Sequence, residues 1–210
     1  MNYNKVNFIN KESCFIEKTV KIEENVTIYP NNTILGNTVI KSGSTLYSNN
    51  FIKDSIIGKN SEITYSHITE SLVEENCKIG PYCHLRPNCK IGKGCKLGNF
   101  VEVKNSSLGE NTKASHLAYI GDATIGKNCN IGCGAIFVNY NGKTKNKIEV
   151  GDNCFIGSNV NLIAPLKLAP KTYICAGTTL TQNTNEYDFI IGRAKETIKP
   201  NRAKNYLKEE

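Results

Sequence analysis

No stretch of this chain approaches the roughly eighteen consecutive apolar residues of a membrane-spanning helix. Residues 1–6 lack the character of a signal peptide. The chain is therefore expected to be cytoplasmic, with no membrane partner. Cysteine pairs of the CxxC kind are missing too: among nine cysteines the closest spacing is that of Cys129 and Cys133. That excludes the usual zinc frameworks, and an odd thiol count fits free cysteines in a reducing compartment. Only three histidines occur, without the close pair a metal hydratase needs, so no metal site is expected. Runs of five or six like charges are also absent. The net charge of +7 comes from lysines scattered at positions such as Lys59, Lys78, Lys93 and Lys127. This argues against nucleic acid and for a small anionic substrate.

What the chain has is a period of six. Ile16, Ile22, Ile28, Ile34, Ile40, Leu46 and Ile52 recur without a break. So do Ile79, Leu85, Ile91, Leu97 and Val103, and later Val150, Ile156, Leu162, Leu168, Ile174 and Leu180. Six matches neither a helix nor an isolated strand; it marks a solenoid in which each short strand turns one aliphatic side chain inward before the corner. At about 18 residues per coil the length supplies roughly nine coils, enough to share one apolar column. Steps of five, as from Ile52 to Ile57 and from Ile120 to Ile125, are read as tighter corners.

Cys77, Cys83, Cys89 and Cys95 also recur every six residues, each two places before an aliphatic anchor. Cys14, Cys129 and Cys154 hold the same place, which Val26, Ser44 and Thr178 fill elsewhere. Cysteine serves there as a small hydrophobe. Gly, Asn and Asp at 57–60, 91–94, 125–128 and 150–153 suit corners that need positive φ.

The expected organisation is a short lead-in over residues 1–10, a repeat domain extending to 180, and a basic tail over 181–210 in which Pro200 opposes a helix. Between Phe137 and Val150 the polar segment NYNGKTKNKI interrupts the period. A loop ejected from a rigid solenoid is a usual place for function.

Coils stack roughly 4.8 Å apart, so residues about 18 apart become neighbours. Arg86 and Lys104 are such a pair, two cations on one side that would suit a phosphate. His116 lies in KASHLAYIGDATIGKNCNIG with Tyr119, Asp122 and Asn130 on the same or adjacent coils. His67 and His84 have no such company and read as surface positions.

The stretch from Ile79 to Pro165 carries LRP, GNFVEVK, ASHLAYIGD, NIG-G and NYNGK-K in that order. It closely resembles the acetyltransferase domain of the bifunctional N-acetylglucosamine-1-phosphate uridyltransferase/glucosamine-1-phosphate acetyltransferase family, with weaker similarity over about residues 12–195. The resemblance implies an all-β, left-handed parallel β-helix of hexapeptide repeats, assembled as a homotrimer with active sites between subunits. It implies acetyl transfer from acetyl-CoA, without a metal, to the amine of glucosamine 1-phosphate in cell-envelope precursor synthesis. Carried over by motif, His116 is the general base, and Arg86 and Lys104 hold the sugar phosphate. Tyr119 and Asn130 bind the sugar, and Lys145 completes that site from another subunit. The acetyl-CoA side takes Cys133, Asn139, Tyr140, Ser158, Ala176 and Arg193, with Asn139 or a backbone amide as oxyanion donor.

The chain departs from the family in having Ala135 where threonine is common and Asn141 where aspartate is common. No Gly-rich nucleotide loop precedes the repeat, so the chain is not expected to make the UDP-sugar itself. Two alternatives stand beside the main reading. One is an acetyltransferase for another amino sugar or sugar nucleotide; the other is a non-catalytic trimeric scaffold for a separate nucleotidyltransferase.

Overall fold

The computed structural model describes residues 5–207. It is a parallel β-solenoid of about ten turns, built from strands of mostly two or three residues. Strands pair with the strand one turn away and never with their neighbours in sequence, in registers such as Thr27↔Thr45↔Glu62 and Val39↔Ile56↔Leu72. Rung-to-rung spacing is 18 residues between Thr27 and Thr45 but 16 between Glu62 and Lys78. The short steps in the sequence are therefore tighter corners, as expected.

Alternation within each short strand decides what goes inside. Ile28, Ile34, Ile40, Leu46 and Ile52 are fully buried, and so are Leu85, Ile91, Leu97 and Val103. Each such side chain contributes about 1.5–3 kcal/mol by leaving water. Ile16 and Ile22 are only partly buried, because the first turn has a neighbour on one side only. The small-residue slot behaves as read: Cys77, Cys83, Cys89, Cys95, Cys129 and Cys154 are all buried. The thiols of Cys77, Cys89, Cys95, Cys129 and Cys154 donate to carbonyls of the next turn, for example Cys77 Sγ to Gly92 O and Cys95 Sγ to Gly109 O, both at 3.1 Å. The corners read as turns hold Asn60, Gly94, Asn128 and Asn153 at φ between 55° and 69°.

Two boundaries differ from the sequence reading. Asn7–Phe8, inside the supposed lead-in, already pairs with Thr27–Ile28. Phe189–Ile190 pairs with Tyr173–Ile174, so the tail supplies one more rung beyond Leu180. Neither strand lies on the six-residue series of aliphatics, which hid them. Residues 1–4 of the lead-in and 208–210 of the tail lie outside the described residues. Beyond Pro200 the chain makes a short 3-10 turn, Arg202–Asn205. Among the described residues no helix is long and apolar enough to cross a membrane.

One local feature positions the site. Most strands stop at a corner, but Lys96–Lys104 and Lys113–Gly121 run nine residues each, through the corner and along two faces of the solenoid. They pair with one another from Lys96↔Lys113 to Lys104↔Gly121. Gly98 allows this close approach: a Cβ there would lie 2.0 Å from Ser115 O.

Candidate active site

The second half of these two strands, with the neighbouring rungs, gathers a charged cluster. Arg86 lies one rung before Lys104, its amide bonded to Val103 O at 2.8 Å. Its guanidinium donates to Glu102 Oε1 at 3.0 Å. Lys104 Nζ stands 3.7 Å from Asp122 Oδ2, both side chains being largely buried. Asp122 also accepts from Asn105 Nδ2 at 2.6 Å and from Asn139 Nδ2. Asn139 Nδ2 lies 3.5 Å from the Tyr119 hydroxyl as well. A side chain on Gly121 would collide with both groups, since a Cβ there would sit 2.5 Å from Tyr119 Oη and 2.7 Å from Asn139 Nδ2.

The excursion brings the third cation. The rung spacing from Asn130 to Phe155 is 25 rather than about 18, so the excursion adds about seven residues to one coil. The loop is pinned by a bridge between Tyr140 and Lys145, by Asn146 N donating to Asn139 O at 2.7 Å, and by Asn141 Oδ1 accepting from the amides of Lys143 and Thr144. Lys145 thereby comes to Lys104 within the same chain, where the sequence reading brought it from another subunit. The adjoining Lys104, through a hydrogen bond and its charge, holds the Lys145 ammonium below the ordinary lysine value.

Burial alone would raise the Asp122 carboxyl. The hydrogen bonds from Asn105 and Asn139, with the charges of Lys104 and Lys145, outweigh it and hold the group below its ordinary value. Arg86 and Lys104 each face one carboxylate. Lys145 has no salt-bridge partner among the described residues, so it is the cation in excess, and the cluster as a whole suits an anion.

A second group of candidates lines one corner of the solenoid. His116 is exposed in the corner-crossing part of its strand, with Asn99 opposite. On the rungs that follow come exposed Cys133, Ser158 and Ala176. Backbone bonds join them in a column: Asn159 N to Cys133 O and Gly177 N to Ser158 O, both 2.8 Å. Arg193 closes it, its guanidinium donating to Ala176 O at 2.8 Å. Small side chains leave a lengthwise track with a cation at its far end, which fits an extended thioester carrying phosphates.

Three expectations fare differently from their neighbours. The resemblance sets Asn139 on the donor side, yet its side chain is buried and its amide is directed at Asp122 and Tyr119. It braces the anion cluster. Tyr140 is exposed, and its hydroxyl donates to Gly142 O at 2.6 Å. Asn130 is exposed on the first face, between Lys113 and Phe155, whereas Tyr119 pairs with Glu102 and Ile136 on the second; one chain does not bring the two together.

The roles of Glu102, Asn105 and Asp122 were missed. The signal was available: Lys104 and Asp122 are 18 apart, the same one-coil spacing that paired Arg86 with Lys104. His67 and His84 are surface residues, as read, but His67 stacks on Phe51 with ring centroids 4.5 Å apart and meets His84 edge to face at 4.9 Å. Burial first, then the neighbouring His84, lowers the His67 pKa.

A family profile described as the GMPPB C-terminal domain matches residues 67–162, and one described as the hexapeptide repeat of succinyl-transferase matches residues 147–182. The bifunctional protein GlmU of Clostridium novyi is 49% identical over 207 residues, 98% of this chain and 45% of that protein. The bifunctional protein GlmU of Clostridium acetobutylicum is 46% identical over 191 residues, 91% of this chain and 42% of that protein. The chain thus spans less than half the length of these relatives. Among solved structures, the UDP-N-acetylglucosamine acyltransferase of Francisella novicida superposes with a TM-score of 0.48 at 17% identity, covering 83% of this chain and 62% of that one.

Proposed function

We propose that this chain, 49% and 46% identical to two bifunctional GlmU proteins over less than half of their length, corresponds to their acetyltransferase portion. It transfers the acetyl group of acetyl-CoA to the amine of glucosamine 1-phosphate, giving N-acetylglucosamine 1-phosphate for cell-envelope precursor synthesis. The observation that carries the reading is the convergence of Arg86, Lys104 and Lys145 beside Tyr119. That convergence lies next to a corner track that starts at His116 and ends at Arg193.

Within this reading the three cations hold the sugar phosphate, and the Tyr119 hydroxyl meets the sugar. Asp122 keeps Lys104 charged and in place, while Asn105 and Asn139 fix the carboxylate. The acceptor arrives as an ammonium, which has no lone pair to attack with. Neutral His116 takes a proton from that nitrogen, and the free amine attacks the thioester carbonyl. Negative charge then gathers on the carbonyl oxygen, which backbone amides along the Cys133 corner stabilise. Collapse expels the coenzyme A thiolate, which takes the second proton from the nitrogen and leaves as the thiol, and the amide remains.

Asn130 projects from a different face, so it acts on the acceptor of a neighbouring copy. This favours a homotrimer with sites between subunits, placed in the cytoplasm. A panel of acceptors tests the reading: glucosamine 1-phosphate, glucosamine 6-phosphate, unphosphorylated glucosamine and UDP-glucosamine, with products identified by mass. Acetylation of glucosamine 1-phosphate well above the others is the expected result. Preference for the sugar nucleotide would move the assignment to a different acceptor.

A further inference from the structure

The outward side chains of the first face are mostly polar: Thr27, Thr45, Glu62, Lys78, Lys96, Lys113 and Asn130 succeed one another in register. The last three rungs break this pattern with Phe155, Tyr173 and Phe189, also in register. Their rings form a ladder with centroids 4.5 and 5.1 Å apart and planes tilted by only 8° and 18°. The core does not require them, since Ile156 and Ile174 beside them point inward and are fully buried. Each inner ring face is covered by the next ring. The open face is at the Phe189 end, where the ring is 64% exposed.

The ladder runs alongside the donor corner. Ser158 and Ala176 follow Phe155 and Tyr173 by three residues. After Phe189 the tail folds over the same corner, with Gly192 N donating to Thr178 Oγ1 at 3.1 Å and Arg193 to Ala176 O at 2.8 Å. Phe189 and Arg193, four residues apart, therefore stand at one level of the solenoid, the ring on the face and the cation at the corner. Four rungs separate that level from the strand of His116, through Lys113, Asn130, Phe155, Tyr173 and Phe189. At about 4.8 Å per rung this is about 19 Å, a span that an extended pantetheine arm and its pyrophosphate bridge.

We infer that Phe189, backed by Tyr173, is the stacking seat for the adenine base of the acyl donor, with Arg193 beside it for the phosphates. The inference rests on the coenzyme A thioester reading above. A planar base adds to a ladder of rings at its open face, and such stacking is tolerant of base identity. Arginine beside the ring adds charge complementarity to the anionic end of the molecule.

The test compares donors with and without the adenosine end. Adenosine 3′,5′-bisphosphate and coenzyme A are titrated calorimetrically against the wild-type chain, Phe189→Ala, Tyr173→Ala and Phe189→Trp, and turnover is followed with S-acetylpantetheine. Phe189→Ala is expected to weaken both adenine-containing ligands about tenfold, to leave the KM for S-acetylpantetheine unchanged, and to be rescued in Phe189→Trp. Unaltered coenzyme A binding in Phe189→Ala and Tyr173→Ala, with or without a change in oligomeric state, overturns this inference and leaves the donor reading standing. A wild-type chain that binds no coenzyme A overturns both.

Discussion

Lys104 Nζ lies 3.7 Å from Asp122 Oδ2, with the two side chains 18% and 8% exposed, respectively. Other ion pairs of the described residues, such as Lys5 with Glu24 or Lys78 with Glu62, are far more open to solvent and contribute little. The Asp122 carboxylate joins three rungs, because Asn105, Asn139 and Lys104 all point hydrogens or charge at it. It is the joint between the solenoid and the excursion.

Replacing Asp122 by alanine leaves two amides and an ammonium facing one another without an acceptor. We expect a loss of about 2–4 kcal/mol in unfolding free energy, read as a lower urea midpoint. A loss below about 0.5 kcal/mol would assign Asp122 to the surface class of ion pairs.

The same carboxylate sets a pH dependence. Its pKa is lower in the folded chain than in the unfolded one, so the unfolded state binds more protons between the two values and stability rises with pH there. The contribution is complete above the unfolded value of about 4 and is lost as pH falls through the folded one. The stability gap between wild type and Asp122→Asn should therefore be widest near neutral pH and close below about pH 4. A gap that widens on acidification would contradict the sign of the shift.

Lys145 predicts the opposite edge of the profile. Lys104 lowers its pKa, so Lys145 discharges before an ordinary lysine does. Binding of N-acetylglucosamine 1-phosphate, which has no amine to titrate, should weaken on the alkaline side below the usual lysine value of about 10.4. Lys145→Arg should move that loss to higher pH, and Lys104→Ala should weaken binding roughly tenfold or more at neutral pH. Identical alkaline profiles for wild type and Lys145→Arg would remove Lys145 from the phosphate grip.

The nine cysteines should react in a fixed order. Cys133 is exposed, Cys14 and Cys175 are half-buried, and the other six are buried. Burial pushes the Cys77 thiol up to about 11 and the Cys95 thiol up to about 12, and the thiolate is the reactive form. Brief treatment with iodoacetamide should modify Cys133 first, as peptide mass mapping will show, with coenzyme A protecting it. Early labelling of Cys77 or Cys95 would mean that the coils open readily.

The repeat was legible because one side chain per strand must enter a narrow core, and from Ile28 to Ile52, Ile79 to Val103 and Val150 to Leu180 the sequence records that demand every six residues. The terminal rungs were not: Asn7–Phe8 and Phe189–Ile190 add strands whose inward residues stand outside the aliphatic period. Arg86 and Lys104 were legible as neighbours from the coil length alone. The Asp122 joint was visible by the same arithmetic, but a carboxylate 18 residues after a lysine carries no mark that it is buried. The position of Lys145 was hidden for another reason. A loop's course depends on hydrogen bonds such as those made by Asn141 and Asn146, which no period encodes.

The proposed reaction joins a base on one strand to a phosphate grip on its neighbours. Its most direct test incubates the purified chain with isotopically labelled acetyl-CoA and glucosamine 1-phosphate and follows the N-acetylated sugar by mass. Steady product formation by the wild-type chain is expected, with a fall of about 10²–10⁴-fold in His116→Ala and an unchanged urea midpoint. Wild-type turnover in His116→Ala, or no acetylated sugar from a chain that binds both ligands, would contradict it.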